Sequence, residues 1–267
     1  MVPKAFVAEV YRRMNVVGKP QPAAEKPRTV DEYFESQPFL WHSLNLNYHH
    51  RLPKNLGAAI LDIGCGPGHF LAACTKWGYT NLSAMDYVLD MDQFRLWGIH
   101  EFHQVSCDLP TSLGKQKGRF DFIHAAHLIE HIPKYDLLEN VDAMFYALRP
   151  GGLLVLETPN MLAPSAMASL FVTLGHEYGF TQSNLCSLLN ICGFQKGTAE
   201  PVLLPSGRLK WRLRNALRAI FLCAYRLRFR LFAFKDTIVT GNIIVSGIRP
   251  DVDPLPERVS RTETKIS

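Results

Sequence analysis

No two of the six cysteines (Cys65, Cys74, Cys107, Cys186, Cys192 and Cys223) form a CxxC pair, and their spacing follows no disulfide framework. That excludes a zinc ribbon or a stapled secreted scaffold and suits a reducing, cytoplasmic setting. No stretch approaches the roughly 20 apolar residues of a membrane span. Arg12 and Arg13 fall where a secretory leader needs an apolar run, so no leader is expected. No internal repeat is present, which removes solenoid architectures. Acidic residues are missing altogether between Val202 and Lys235.

That last absence unbalances the charge. Nine of the 29 Lys and Arg residues lie in that stretch, leaving 20 against 24 Asp and Glu elsewhere. One segment therefore makes the chain basic, which points to an anionic partner surface. The rest has an ordinary globular composition, 47% hydrophobic and 20% charged, enough for one well-cored domain with appendages.

Residues 1–30 read as a flexible basic arm broken by four prolines, and 31–56 as an aromatic-rich cap helix. Strand and helix signals then alternate from 57 to 250, as in βαβ units on a parallel sheet. Strands are expected at Ala58–Ile63, Asn81–Met85, Glu101–Ser106, Phe120–Ala125, Leu153–Glu157, Thr198–Leu204 and Ile238–Ile248. The fourth leads into a helix running on to Leu148. A polar tail occupies 251–267.

The first strand runs into Asp62-Ile63-Gly64-Cys65-Gly66-Pro67-Gly68. Three glycines at alternate positions let the turn fold tightly and let a ligand approach the backbone. The spacing is GxGxG, not the GxGxxG of dinucleotide binders. Asp62 would pair with an α-ammonium group and repel a pyrophosphate. Asp86 ends the second strand, where a carboxylate accepts from both ribose hydroxyls. Asp108, after the third strand, can accept from an adenine amine or simply cap a turn.

These segments (ILDIGCGPGHF, AMDY, CDLP, FDFIHAAHLIEHI and LRPGGLLVLETPN) resemble the class I S-adenosylmethionine-dependent methyltransferases over about residues 58–194. The resemblance implies a Rossmann-like α/β fold with helices on both faces. Its seven-stranded sheet would be mostly parallel, the last strand antiparallel between the fifth and sixth. It implies S-adenosylmethionine as cofactor, with Asp62, Gly64, Gly66 and Gly68 at the methionine end, Asp86 on the ribose, Tyr87 beside the adenine, and Cys107 and Asp108 flanking the base.

The Asn-Pro-Pro-Tyr box of adenine and glutamine N-methyltransferases is absent after the fourth strand. His127, Glu130 and His131 stand there instead, at a spacing that puts all three on one helical face. The run resembles the ExxEH element of ubiquinone-pathway and small-RNA 2′-O-methyltransferases, with His127 where that pattern has Glu. The resemblance links His127, Glu130, His131 and a further His176 to a divalent metal that would acidify a substrate hydroxyl. Two other uses stand beside it: His131 as a general base, or Glu130 and His131 bonding only within the fold.

Residues 207–235 read as a basic amphipathic helix inserted before the last strand. Leu209, Leu213, Ala216, Ile220, Ala224, Leu227, Leu231 and Phe234 make an apolar stripe free of basic residues. Such a helix can lie on an anionic membrane surface, pack on the domain, form a homodimer contact or meet RNA. Together these features predict an O-methyltransferase acting on a lipid-linked, glycan or quinone-like hydroxyl at a membrane surface. The alternatives are an RNA 2′-O-methyltransferase and a non-catalytic S-adenosylmethionine-binding protein.

Overall fold

Apolar residues alternate sides along the central strands, and two hydrophobic layers result. Leu61, Ile123, Leu154, Leu156, Ile243 and Val245 face one layer. Ile60, Phe122, Val155 and Ile244 face the other. The computed structural model describes residues 27–87, 89–105, 108–232 and 235–254. Most of the expected N-terminal arm, most of the C-terminal tail, Cys107 and Phe234 lie outside the described residues.

The strands are β1 (Ile60–Ile63), β2 (Leu82–Asp86), β3 (Glu101–Gln104), β4 (Phe120–Ala126), β5 (Leu148–Pro159), β6 (Gln195–Pro201) and β7 (Asn242–Ile248). They form one sheet in the order β3-β2-β1-β4-β5-β7-β6. β1 to β5 pair in parallel. β7 runs antiparallel between β5 and β6. The seven-stranded Rossmann-like arrangement matches the expected fold, and the direction of winding reverses between β1 and β4. Ligands in such sheets bind outside the carboxyl ends of the strands at that reversal.

Helices α1 (Val30–Ser36) and α2 (Pro38–Asn47) replace the single expected cap helix. Pro38 begins α2, and the residue before a proline is driven out of helical geometry, so the break falls at Gln37. Thr29 and Glu32 form a capping box at the start of α1. Tyr33, Phe34, Leu44 and Tyr48 then bury against α3 (His69–Lys76) and α4 (Met91–Leu96). On the opposite face lie α5 (Leu109–Gly114), α6 (Leu137–Ala147) and α8 (Gln182–Ile191). The short α7 (Ala166–Phe171) precedes α8, and α9 (Leu209–Leu231) joins β6 to β7.

Four further expectations need correction. The segment after β4 is not one helix: a 3₁₀ turn at Ile129–His131 ends before Pro133, and α6 starts only at Leu137. β6 ends at Pro201, three residues before the expected limit, and β7 begins four residues after its own. β5 reaches back to Leu148 through the Pro150-Gly151-Gly152 kink, because Gly151 takes the left-handed φ of 77° there. No helix among the described residues is long and apolar enough to cross a membrane.

Candidate active site

The glycine turn after β1 separates two roles that glycine can fill. A Cβ on Gly68 (φ 80°) would lie 2.2 Å from Phe94 and 2.9 Å from Trp97, so this glycine lets α4 pack against the turn. A Cβ on Gly66 (φ 51°) would meet nothing within 4 Å, so this glycine faces open space, as a ligand-facing position requires. Gly66 N donates to Asp86 Oδ2 at 2.7 Å, and Tyr87 N donates to Asp86 Oδ1 at 2.6 Å. The carboxylate ending β2 thus braces the turn and its own following residue. Tyr87 is half exposed beside it.

Asp62 is buried, and its Oδ1 lies 2.7 Å from Nδ1 of His124 on β4. Burial raises the Asp62 carboxyl above its ordinary range, with His124 opposing that shift. At least one oxygen expected for an ammonium group is therefore committed to His124. Asp108 caps α5, its Oδ1 accepting from Thr111 N at 2.7 Å. Cys65 is buried, and desolvation with the charges of Asp62 and Asp86 pushes its thiol far up, which excludes a thiolate nucleophile.

Across the edge, at the ends of β4 and β5, His127 has the left-handed φ of 53°. Its backbone N donates to Glu157 O, its Nδ1 lies 3.1 Å from Glu130 Oε1, and its Nε2 lies 3.2 Å from Asn242 Nδ2. The bond to Glu130 raises the His127 pKa against the effect of burial, and the charge of Glu157 adds to the rise. Asn242 also donates to Glu157 Oε1 at 2.7 Å, while the Tyr48 hydroxyl donates to Glu157 Oε2. His127, Asn242, Glu157 and Tyr48 therefore form one polar chain across four segments.

Glu130 is buried in the 3₁₀ turn. Its Oε2 accepts from Thr158 Oγ1 at 3.0 Å, and its backbone O accepts from Glu177 N and Tyr178 N. Burial opposes its charge, but the bond to His127 and the nearby imidazoles hold its carboxyl below the usual range. His131 Nδ1 lies 2.8 Å from Gly175 O, and His176 Nδ1 lies 2.8 Å from Ser169 O. A carbonyl can only accept, so in each ring Nδ1 carries the proton, which leaves Nε2 as the ligand atom of the neutral tautomer. The two rings are 4.7 Å apart. Ligand atoms of Glu130, His131 and His176 all fall within 4.8 Å of one another. Desolvation lowers the His131 pKa, against the bond to Gly175 and the charge of Glu130, and so favours the neutral ring.

The structure thus gathers Glu130, His131 and His176, and it sets His127 aside on the Glu130–Glu157 side. The shared helical face expected for His127, Glu130 and His131 does not exist, because the turn is 3₁₀ and begins after His127. Sequence reading missed His124, Tyr48, Glu157 and Asn242. Only His124 left a trace, as a polar residue inside the apolar strand FDFIHAA.

A methyltransferase-domain family model matches residues 41–196, more than half of the chain. The ubiquinone biosynthesis O-methyltransferase of Xylella fastidiosa is 32% identical over 144 residues, covering 51% of this chain and 56% of that protein. The chain thus spans about half the length of the curated relatives it matches. An S-adenosylmethionine-dependent methyltransferase from Archaeoglobus fulgidus superposes with a TM-score of 0.57 at 18% identity, covering 82% of this chain and 97% of that one. The 1,6-didemethyltoxoflavin-N1-methyltransferase of Burkholderia thailandensis, solved with bound 1,6-didemethyltoxoflavin and S-adenosylhomocysteine, gives a TM-score of 0.57 at 16% identity over 94% of this chain and 92% of that one. The two solved structures share the fold, and the family match places this chain in the methyltransferase-domain family.

Proposed function

We propose that the chain is an S-adenosylmethionine-dependent methyltransferase that methylates a hydroxyl oxygen of a lipid-linked, glycan or quinone-like acceptor, using a divalent cation. One observation carries the acceptor chemistry. His131 and His176 are each oriented through Nδ1 by a backbone carbonyl, beside the buried carboxylate of Glu130. That second layer of bonds is how proteins commonly fix imidazole ligands. Oxygen as the target also accords with the name of the Xylella fastidiosa relative.

The residues fit both groups. Gly66 offers open space at the turn, and Asp86 stands at the carboxyl end of β2. When bound, S-adenosylmethionine supplies a methyl group on a positively charged sulfur. Asp86 would hold the ribose, and the backbone at Gly64–Gly68 would receive the methionine end. Glu130, His131 and His176 would hold the cation, whose Lewis acidity favours loss of the acceptor's hydroxyl proton. Thr158 and His127 fix the two oxygens of Glu130. His127, half exposed and held by Glu130 and Asn242, would orient the acceptor.

The test uses methyl-labelled cofactor with lipid and glycan extracts as acceptors, read by mass spectrometry. Label is expected in an O-methyl product. His131→Ala and His176→Ala should each lower transfer at least about a hundredfold, in line with loss of a metal-activated nucleophile. Both should keep the rise in melting temperature caused by S-adenosylhomocysteine, whereas Asp86→Ala should lose it. Chelation should abolish transfer and Mg²⁺ or a transition metal restore it. Activity that survives exhaustive chelation removes the metal and leaves His131 as the proton acceptor. Thermal shifts of equal size from NAD and S-adenosylmethionine overturn the cofactor reading.

A further inference from the structure

Helix α9 has two opposite faces, a mixed row that is covered and an apolar row that is not. Trp211, Asn215, Arg218, Leu222, Tyr225 and Phe229 step by four and three, and all are buried or half-buried. Trp211 packs edge-on against Phe39 of α2, and Asn215 donates to the carbonyls of Leu204 and Pro205. These contacts moor the helix. The row apparent from sequence points the other way. Leu209, Leu213, Ile220, Leu227 and Leu231 are 56–75% exposed. At about 100° per residue they lie opposite the moored row.

The cations occupy the two flanks between these rows. Arg208, Arg212, Arg226 and Arg230 fall on one side, and Lys210, Arg214 and Arg228 on the other. No acidic residue interrupts them. An apolar ridge between two basic margins needs an occupant that is apolar in depth and anionic at its surface. A second copy of the helix would cover the ridge but bring the basic margins together. A nucleic acid would meet the margins and leave the leucines in water. An anionic lipid leaflet meets both, with acyl chains under the ridge and headgroups along the margins.

A second apolar group lies nearby. Met167, Phe171, Val172 and Leu174, in and just after α7, are 67–81% exposed. Pro164 and Ser165 before α7 share a cavity of about 300 Å³ with Phe221 and Leu222 of α9. Both connections of α9 are pinned at the carboxyl edge of the sheet. Asn47 bonds Leu203 on the way in, and Asn160 bonds the carbonyls of Ile238 and Thr240 on the way out.

We propose that the outward row of α9, with its two basic margins, docks the protein on an anionic membrane leaflet and brings the carboxyl edge of the sheet to the lipid surface. The surface stands apart from the methyl-transfer reading, so its test needs no acceptor. Full-length protein is sedimented with vesicles of phosphatidylglycerol and phosphatidylcholine, and with phosphatidylcholine alone. Binding is expected only to the anionic vesicles, weakening as salt rises because the charges act over about 10 Å at 0.1 M. Reversing Arg212, Arg226 and Arg230 to Glu is expected to weaken partition by about a hundredfold or more. Ile220→Ser with Leu227→Ser should also weaken it, while melting temperature and the S-adenosylhomocysteine shift stay at parental values. Failure to bind anionic vesicles overturns the proposal, whether the protein is then monomeric or forms a dimer that the Ile220 and Leu227 changes disrupt. Vesicle binding indifferent to those two changes also overturns it, as does RNA retention that competes with the vesicles and depends on the arginines alone.

Discussion

The two halves of the ligand edge are held together over very different lengths of chain. On the cofactor half, Gly66 meets Asp86 across 20 residues, and Gly68 meets Phe94 within the next βα unit. On the acceptor half, His131 meets Gly175, His127 meets Asn242 across 115 residues, and Tyr48 meets Glu157 across 109. Apart from the Asp62–His124 pair, the first half is a local solution that adjoining strands and helices impose. The second is assembled only once β5, β7 and α2 are in place. A local site can be read from a motif, and an assembled one can change residue by residue while the sheet stays the same.

That contrast predicts where substitutions act. The largest effect is expected from Gly68→Ala, whose new Cβ has no room against Phe94 and Trp97 and sits at a left-handed φ. Crowding and backbone strain together should cost about 3 kcal/mol or more, seen as a fall in melting temperature of roughly 10 °C. Gly66→Ala meets only the strain, so it should cost about 1 kcal/mol while still blocking the S-adenosylhomocysteine shift. Equal losses of stability from the two changes would contradict the division of roles between these glycines.

Thr158→Val probes the assembled half at nearly constant volume. It removes the donor to Glu130 Oε2 in a buried setting. A cost of about 1–3 kcal/mol is expected, with lower transfer activity and an unchanged S-adenosylhomocysteine shift. A diminished shift would show that the halves are coupled. The smallest effect is expected at the sheet edge, where Glu101 on β3 accepts from Ser83 Oγ and Arg119. Burial opposes its charge, yet these donors hold its carboxyl below the ordinary range. A lowered pKa contributes stability above the unfolded value and loses it as pH falls through the folded one. Glu101→Gln should therefore cost up to about 1 kcal/mol at neutral pH. In pH-dependent urea melts the gap should close below about pH 4, the ordinary carboxylate range.

The fold was legible because its signals are local. Alternating apolar runs, a glycine turn and an acidic residue at the end of β2 are each written within a few positions. The break between α1 and α2 is also written in the sequence, at Pro38. The break between His131 and α6 carried a similar mark in Pro133. The Asp62–His124 pair, the fixing of Glu130 by Thr158, and the holding of His131 and His176 by carbonyls of Gly175 and Ser169 had no such mark. Each depends on which side chains the finished sheet brings within 3 Å. The same holds for α9. Its leucine row was visible because it is uniformly apolar, while the row that packs inward mixes Trp211, Asn215, Arg218 and Tyr225 and looks polar on paper.

β6 and β7 form an antiparallel ladder in which Pro201 faces Ile243, and Val202 N still reaches Asn242 O beyond it. Residues 203–241 therefore leave and re-enter the sheet at nearly the same point. The two ends of that segment are built into the fold, since Asn47 bonds Leu203 and Asn160 bonds the carbonyls of Ile238 and Thr240, whereas lengthening the part between them adds little closure entropy. The segment behaves as a cassette mounted on the end of a hairpin. Changing the charge or length of its exposed part would alter the surface the segment presents without touching the register of β6 on β7.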